Sequence, residues 1–180
     1  MRTLTLGMNV SLDGFVATPE DGLDWMFPNF SDELMADTQT LLSGFGTILM
    51  GRVNYEGQAA TWPHQQGPLA DIMNAVEKVV FSTTLQTADW QNTRVHAEDP
   101  AVEIARLKAL DGPTLGASGG ATFARYLTSH GLVDEYRLTV HPVFLGSGKP
   151  IFAERTALEP LTSTDYPNGV VVRTFRPKQA

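Results

Sequence analysis

Residues 116–127 read GASGGATFARYL, and the reading of this stretch decides the fold. TLGAS (114–118), which leads into it, has the character of a short buried strand, and ATFARYLTSH (121–130) that of a helix. Two adjacent glycines, Gly119 and Gly120, stand at the joint. Adjacent glycines cost backbone entropy, and an ordinary turn rarely needs both. Two explanations are open. Either the turn packs helix tightly against strand, or something comes very close to the backbone there. In the second case a helix starting near Ala121 presents unpaired N–H groups and the positive end of its dipole, and the glycines let a pyrophosphate reach them.

The alternation of strand and helix extends outward from the joint. TLTLGMNV (3–10) reads as a strand that turns at Ser11-Leu12-Asp13-Gly14. TPEDGLDWMFPNF (18–30) is loop-like and rich in aromatics, and Ser31 is placed to cap a helix over 32–43 with acids in its first turn. TILM (47–50) and KVVFS (78–82) read as buried strands, separated by a short helix after Arg52, a proline-containing loop and a helix at PLADIMNAV. DPAVEIARLKAL (99–110) has helical period, with Asp99 as cap and Pro100 at the first position. From Asp134 on, YRLTVHPVFL, a proline-rich loop and GVVVRTF carry strand patterns with no helix between them. Strands alternating with helices predict a mostly parallel sheet covered on both faces, and the tail predicts antiparallel additions at its edge.

The chain has 180 residues, which suggests one domain spanning 1–180. It has no cysteine, which excludes disulfides, thiolate–zinc sites and thiol nucleophiles. Lys and Arg total 13 against 20 Asp and Glu, a net charge of −7 that argues against a broad nucleic-acid footprint. No apolar run has the length of a membrane span or of a signal-peptide core, so the expectation is a soluble cytoplasmic protein. Histidines 64, 96, 130 and 141 lack metal-ligand spacing, so no metal is expected; His141, in an apolar strand, reads as a satisfied core histidine.

In sheets of this kind ligands sit outside the carboxyl ends of the strands. Those ends carry Ser11 to Gly14, Gly51-Arg52-Val53-Asn54, Ser82-Thr83-Thr84, Ser118 to Thr122, and Leu145-Gly146-Ser147-Gly148-Lys149-Pro150. Arg52 is either a phosphate clamp or a surface charge, and Ser82 and Thr83 are turn formers by default. Together the five ends look like a surface for a long, phosphate-bearing ligand. GASGGA is not G-x-G-x-x-G. GSGKP fails as a P-loop, because Val143 stands at the first glycine position and Pro150 replaces Ser/Thr. GGATF has no serine elbow.

ILMGRVNYEG, KVVFST and GASGGATFARYL are similar, in order, to segments of dihydrofolate reductases. SLDGFVA and HPVFLGSGKPIF are closer to the reductase domain of bacterial riboflavin biosynthesis, the RibD C-terminal domain. The resemblance covers nearly the whole chain. It implies an α/β, dihydrofolate-reductase-like three-layer fold: a mostly parallel eight-stranded sheet with an antiparallel C-terminal strand and flanking helices. It implies NADPH as cofactor and a homodimer. By matched position it puts Gly51, Arg52 and Asn54 at the pyrophosphate and 2′-phosphate end, and Ser82 and Thr83 on the adenosine side. Ser118, Gly119, Gly120, Ala121 and Thr122 would hold the diphosphate. Asn9, Val16 and Ala17 would border the nicotinamide, with Phe123 nearby. It also implies a cis peptide at Ser118–Gly119 or Gly119–Gly120.

Folate reductases aim a helix carboxylate at the pterin; the matching position here is near Met35, with Asp32, Glu33 and Asp37 as unaligned neighbours. The expectation is an NADPH-dependent reductase of a small heterocyclic or carbonyl substrate, similar to 5-amino-6-(5-phosphoribosylamino)uracil reductase. The alternatives are a non-catalytic NADPH-binding module, a structural or dimerising protein whose strand-end glycines only make turns, and a true dihydrofolate reductase. Trp25 and Phe27 read as a substrate lid or a hydrophobic plug. Gly146, Ser147, Gly148 and Lys149 read as the opposite wall. Asp13 reads either as half of a common Asp-Gly turn or as a catalytic group that positions substrate or relays a proton. The C-terminal strand is expected at a sheet edge, where a second copy would cover it.

Overall fold

The first strand, β1 (Leu4–Ser11), is covered on both faces: Leu4, Leu6, Met8 and Val10 enter one core, while Gly7 lies against Leu41 of a helix on the other side. The computed structural model describes residues 1–152 and 155–178. After β1 come β2 (Phe15–Ala17), a 3₁₀ turn at Asp24–Asn29, α1 (Asp32–Ser43), β3 (Phe45–Gly51), α2 (Arg52–Ala59), α3 (Pro68–Ala75), β4 (Glu77–Phe81) and β5 (Thr93–His96). There follow α4 (Pro100–Ala109), β6 (Thr114–Ser118), α5 (Ala121–Ser129), β7 (Glu135–His141), β8 (Lys149–Pro150), β9 (Leu158–Asp165) and β10 (Val171–Pro177).

Eight strands form one sheet in the order β5-β4-β3-β6-β1-β7-β10-β9. Neighbours from β5 to β7 are parallel; β10 alone runs against them, pairing antiparallel with β7 and β9. On one face, Ile104 and Leu107 of α4 and Ala124 and Leu127 of α5 pack on Leu6, Leu49, Val79 and Leu115. On the other, Leu41 and Leu42 of α1 and Met73 of α3 pack near Ile48, Met50 and Val80. Helices on both faces explain why β3 and β4 are near-continuous apolar runs rather than alternating ones.

The helix starts follow their caps. Ser31 accepts a hydrogen bond from the Leu34 N–H, and Asp99 accepts one from Ala101 with Pro100 in the first position. The C-terminal strand is not at the edge. β10 lies between β7 and β9, and the edge strand is β9, read from the sequence as a proline-rich loop. β9 contains Pro160, which sits where the β9–β10 register shifts between Thr174 and Phe175. An irregular edge tolerates a residue that cannot donate to a ladder, so proline does not exclude a strand there. Nothing in the sequence pattern announces β5 or the short β2–β8 pair. No helix among the described residues is long and apolar enough to cross a membrane.

Candidate functional site

The Gly-Gly joint lies at the carboxyl end of β6, and both glycines have left-handed backbone, with φ of 72° at Gly119 and 74° at Gly120. Every peptide bond among the described residues is trans, so the expected cis bond at the joint is absent. The reversal is made by two successive positive φ angles, which glycine adopts without strain. The group that approaches the joint from within the chain is Asn54 of α2. Its side-chain nitrogen donates to the Ser118 carbonyl at 2.7 Å, and a Cβ on Gly119 would stand 2.8 Å from its oxygen. That oxygen is itself bonded by Gln58 at 3.0 Å. The glycines thus serve a tight packing turn. They also leave the start of α5 without a side-chain cap for its first N–H groups.

Beside this helix start is an open cleft of about 360 Å³, lined by Ala121, Thr122, Arg125, Gly148, Lys149 and Pro150. It joins two segments singled out in the sequence, the α5 start and the late glycine loop. It adds Arg125, whose only signal in the sequence is its place one turn into the helix that the glycines open. Lys149 is paired with Asp21. Gly148 is a glycine because β8 crosses β2 closely: a Cβ there would lie 2.4 Å from the Ala17 carbonyl oxygen. Gly146 takes a positive φ in the turn, and Ser147 beside it is exposed. Val16 and Ala17 are buried in β2.

The other expected cofactor residues are placed less directly. Arg52 is half-exposed, and one of its guanidinium nitrogens contacts both carboxylate oxygens of Glu56, at 2.9 and 3.0 Å. To clamp a phosphate it must exchange that partner. Gly51 caps α2 without a positive φ, and its missing side chain makes room for Phe123. Phe123, expected near the nicotinamide, is buried in the core and stacked on Phe81 at 5.3 Å. Ser82 accepts from the N–H groups of Thr84 and Leu85 as a turn former does, and Thr83 is exposed beside it.

At the neighbouring end, of β1 and β7, Asp13 is fully engaged. One carboxylate oxygen accepts from the Ser11 hydroxyl at 2.7 Å and the Leu145 N–H at 3.1 Å; the other accepts from the Gly146 N–H at 2.8 Å. The Ser11 hydrogen bond, with those from the loop, holds its pKa below the ordinary carboxylate value. This is the loading of a clamp between two turns rather than of a proton relay.

Asn9 lies on the α1 side of β1, its side-chain oxygen 2.9 Å from Nε2 of His141. His141 is buried, and Trp25 and Phe30 cover it with ring centroids at 5.4 and 5.9 Å. It is not the satisfied core histidine expected, since its Nδ1 has no hydrogen-bond partner. Phe27, grouped with Trp25 in the sequence, points outward and is 61% exposed. Asp37 of α1, one of the carboxylates flanking Met35, is committed to Arg137 and to the Tyr166 hydroxyl.

A model of the RibD C-terminal domain family matches residues 2–172. The chain is 32% identical over 178 residues to the uncharacterized protein YyaP of Bacillus subtilis strain 168, covering 94% of this chain and 92% of that one. Among solved structures, a putative riboflavin biosynthesis protein from a Shewanella species superposes with a TM-score of 0.77 at 20% identity, over 98% of this chain and 99% of that one. A diaminohydroxyphosphoribosylaminopyrimidine deaminase/5-amino-6-(5-phosphoribosylamino)uracil reductase from Thermotoga maritima superposes with a TM-score of 0.70 at 13% identity, over 98% of this chain and 57% of that one. The likeness in structure, with the sheet order, makes the fold the dihydrofolate-reductase-like one.

Proposed function

The chain belongs to the RibD C-terminal domain family, and from that premise we propose that it is an NADPH-dependent reductase of the riboflavin-pathway type, acting on a small heterocyclic or carbonyl substrate. The observation that carries this reading is the uncapped start of α5, opened by two left-handed glycines onto a cleft with Arg125 and Lys149. The residues present suit a dinucleotide diphosphate. Backbone N–H groups and the helix dipole would meet its anionic oxygens, Arg125 stands in the same cleft, and Lys149 joins it on exchanging its partner Asp21. Arg52, Ser82 and Thr83 line the adjacent strand ends, where the adenosine phosphate would fall.

The reduced nicotinamide, when bound, supplies the hydride. The protein's task is to hold the two reactants at near-attack distance and exclude water. In this reading β2 and β8 flank the nicotinamide end, and the Asp13 clamp fixes the turn after β1 against the loop after β7. The aromatic segment closes the α1 side. Dihydrofolate is disfavoured as substrate, because Asp37 is paired and Met35 occupies the matching position. We place the protein in the cytoplasm as a homodimer; the exposed Leu12 and Phe144, on turns tied together by the Leu12 N–H and the Val143 carbonyl, suit an interface. Light scattering at micromolar concentration checks the dimer, and a monomer there would count against it.

The test of function is a titration with NADPH, NADH and ATP, followed by cofactor fluorescence and thermal shift. NADPH is expected to bind about ten- to a hundredfold more tightly than NADH, the effect of one charge-assisted phosphate contact. Absence of NADPH binding would overturn the reading.

A further inference from the structure

Asn54 of α2 stands against both glycines of the joint: a Cβ on Gly119 would lie 2.8 Å from its side-chain oxygen, and one on Gly120 3.1 Å from its Cβ. Both its polar atoms are already bonded within the chain. Nδ2 donates to the Ser118 carbonyl at 2.7 Å, and Oδ1 accepts from Nε2 of Gln58 at 3.0 Å. Oε1 of Gln58 accepts in turn from the indole N–H of Trp62 at 3.2 Å. The three side chains are spaced four residues apart, so α2 and the 3₁₀ turn at Trp62–His64 bring them onto one face, and all three are half-buried. The far end is anchored. Trp62 packs on the core that holds Ile48, Met50 and Val80, and its carbonyl accepts from Asn74 of α3 at 3.0 Å.

The two ends of this chain of hydrogen bonds have fixed polarity. An indole N–H only donates, and a carbonyl oxygen only accepts. The two amides between them make all three bonds in one orientation alone, each accepting on the Trp62 side and donating toward Ser118. Trp62 therefore sets the orientation of Gln58, and Gln58 sets that of Asn54. What Asn54 holds is the last carbonyl of β6, immediately before the two left-handed glycines that lead into α5. An Asn54 amide turned the other way would set oxygen against oxygen at Ser118, where the backbone has to stay in place for an anion.

We propose that Gln58 is a positioning residue for diphosphate binding: it touches no ligand, fixes the Asn54 amide as a donor to Ser118, and so holds the Gly119–Gly120 turn and the first N–H groups of α5 where an anion meets them. The proposal rests on the reductase reading for NADPH as the ligand, and on the hydrogen-bond chain for the positioning.

The experiment compares the wild type with Gln58→Glu and Gln58→Met. Each is titrated with NADPH and with inorganic pyrophosphate at pH 8 and pH 5, and referred to the wild type at the same pH. An ionised carboxylate at 58 accepts from Trp62 and cannot donate to Asn54; a protonated one can, and that bond raises its pKa. The Glu variant is expected to bind both ligands about tenfold more weakly at pH 8 and to recover toward the wild type at pH 5. The Met variant, with no N–H to donate and no charge, is expected to bind about threefold more weakly at both. A Met variant equal to the wild type would mean that charge repulsion alone weakens the Glu variant. A Glu loss that does not change with pH would mean a merely structural role. Either result overturns the proposal. A ligand-free measurement reads the positioning itself: in ¹⁵N-labelled protein the Gly119 and Gly120 N–H resonances of the Glu variant are displaced at pH 8 and return toward the wild-type positions at pH 5, and resonances that stay in place overturn it. Pyrophosphate separates the two readings. A wild type that binds pyrophosphate and not NADPH removes the reductase reading, and the pyrophosphate titrations still decide the positioning. NADPH binding that is equal in all three proteins removes the positioning and leaves the reductase. A wild type that binds neither ligand removes both.

Discussion

The carboxyl ends of β1 and β7 and those of β3 and β6 are built from similar residues, yet they finish in opposite states. At the β1–β7 end, Asp13 accepts three hydrogen bonds, Ser11 is buried, and His141 is sealed beneath Trp25 and Phe30. At the β3–β6 end, the chain satisfies itself as far as Asn54 and Ser118, and in the cleft Lys149 as far as Asp21, and then leaves the start of α5 without a side-chain cap beside an open cleft with an exposed Arg125. Small and polar residues at strand ends do not in themselves mark a ligand site. The mark is whether their hydrogen-bonding groups are consumed within the chain. By that measure the β3–β6 end is ready for an anion, while the β1–β7 end is closed except for a single nitrogen.

The contrast is broken or sharpened by measurements of decreasing size. The largest is an acid titration of stability. His141 has a folded pKa of about 4 against 6.5 in the unfolded chain. Between those values the unfolded state binds the extra proton, so the contribution is whole above pH 6.5 and disappears as pH falls to 4. The expected loss is about 3 kcal/mol, measured by urea unfolding across that window. His141→Gln should flatten the slope there, and an unchanged slope would mean that the β1–β7 end is wetter than it looks. Next, Arg125→Glu should weaken NADPH about ten- to a hundredfold while leaving the melting temperature unchanged, because the open end serves binding rather than stability. A large fall in melting temperature would blur the distinction. Third, Asp13→Ala should lower the melting temperature by roughly 3–6 °C through loss of the clamp, with NADPH affinity nearly intact. The smallest effect belongs to Glu56→Gln, which frees Arg52 from its ion pair and should tighten NADPH about two- to threefold, with little change for NADH. Equal effects on both cofactors would place Arg52 away from the 2′-phosphate.

Much of the fold is legible in the chain because its strongest signals are local. Ser31 and Asp99 announce helix starts, and apolar runs such as TILM and KVVF announce strands buried on both faces. The strands that escape reading lie at the two edges. β5 has only four residues, all half-buried, and β9 carries Pro160 with a largely exposed face, so neither shows the apolar run of an interior strand. β10 is apolar because it is interior, which its sequence alone does not distinguish from an edge awaiting a partner. In the site, the glycine joint was visible as an anomaly, but Asn54 as its close neighbour was not, since that contact spans two elements far apart in sequence. Nor could the unpartnered nitrogen of His141 be seen, because satisfaction depends on what the fold brings near.

The place of β1 in the sheet also bears on how the chain is made. β1 is synthesised before either of its neighbours, yet it lies between β6 and β7, pairing Leu4 with Leu115 and Thr5 with Glu135. At ribosomal speeds its apolar residues wait on the order of ten seconds for those partners to emerge. The sheet's middle therefore closes late, with long-range parallel pairing as the slow step. During that wait LTLGMNV is an exposed, uncharged strand, the segment a chaperone has most reason to hold.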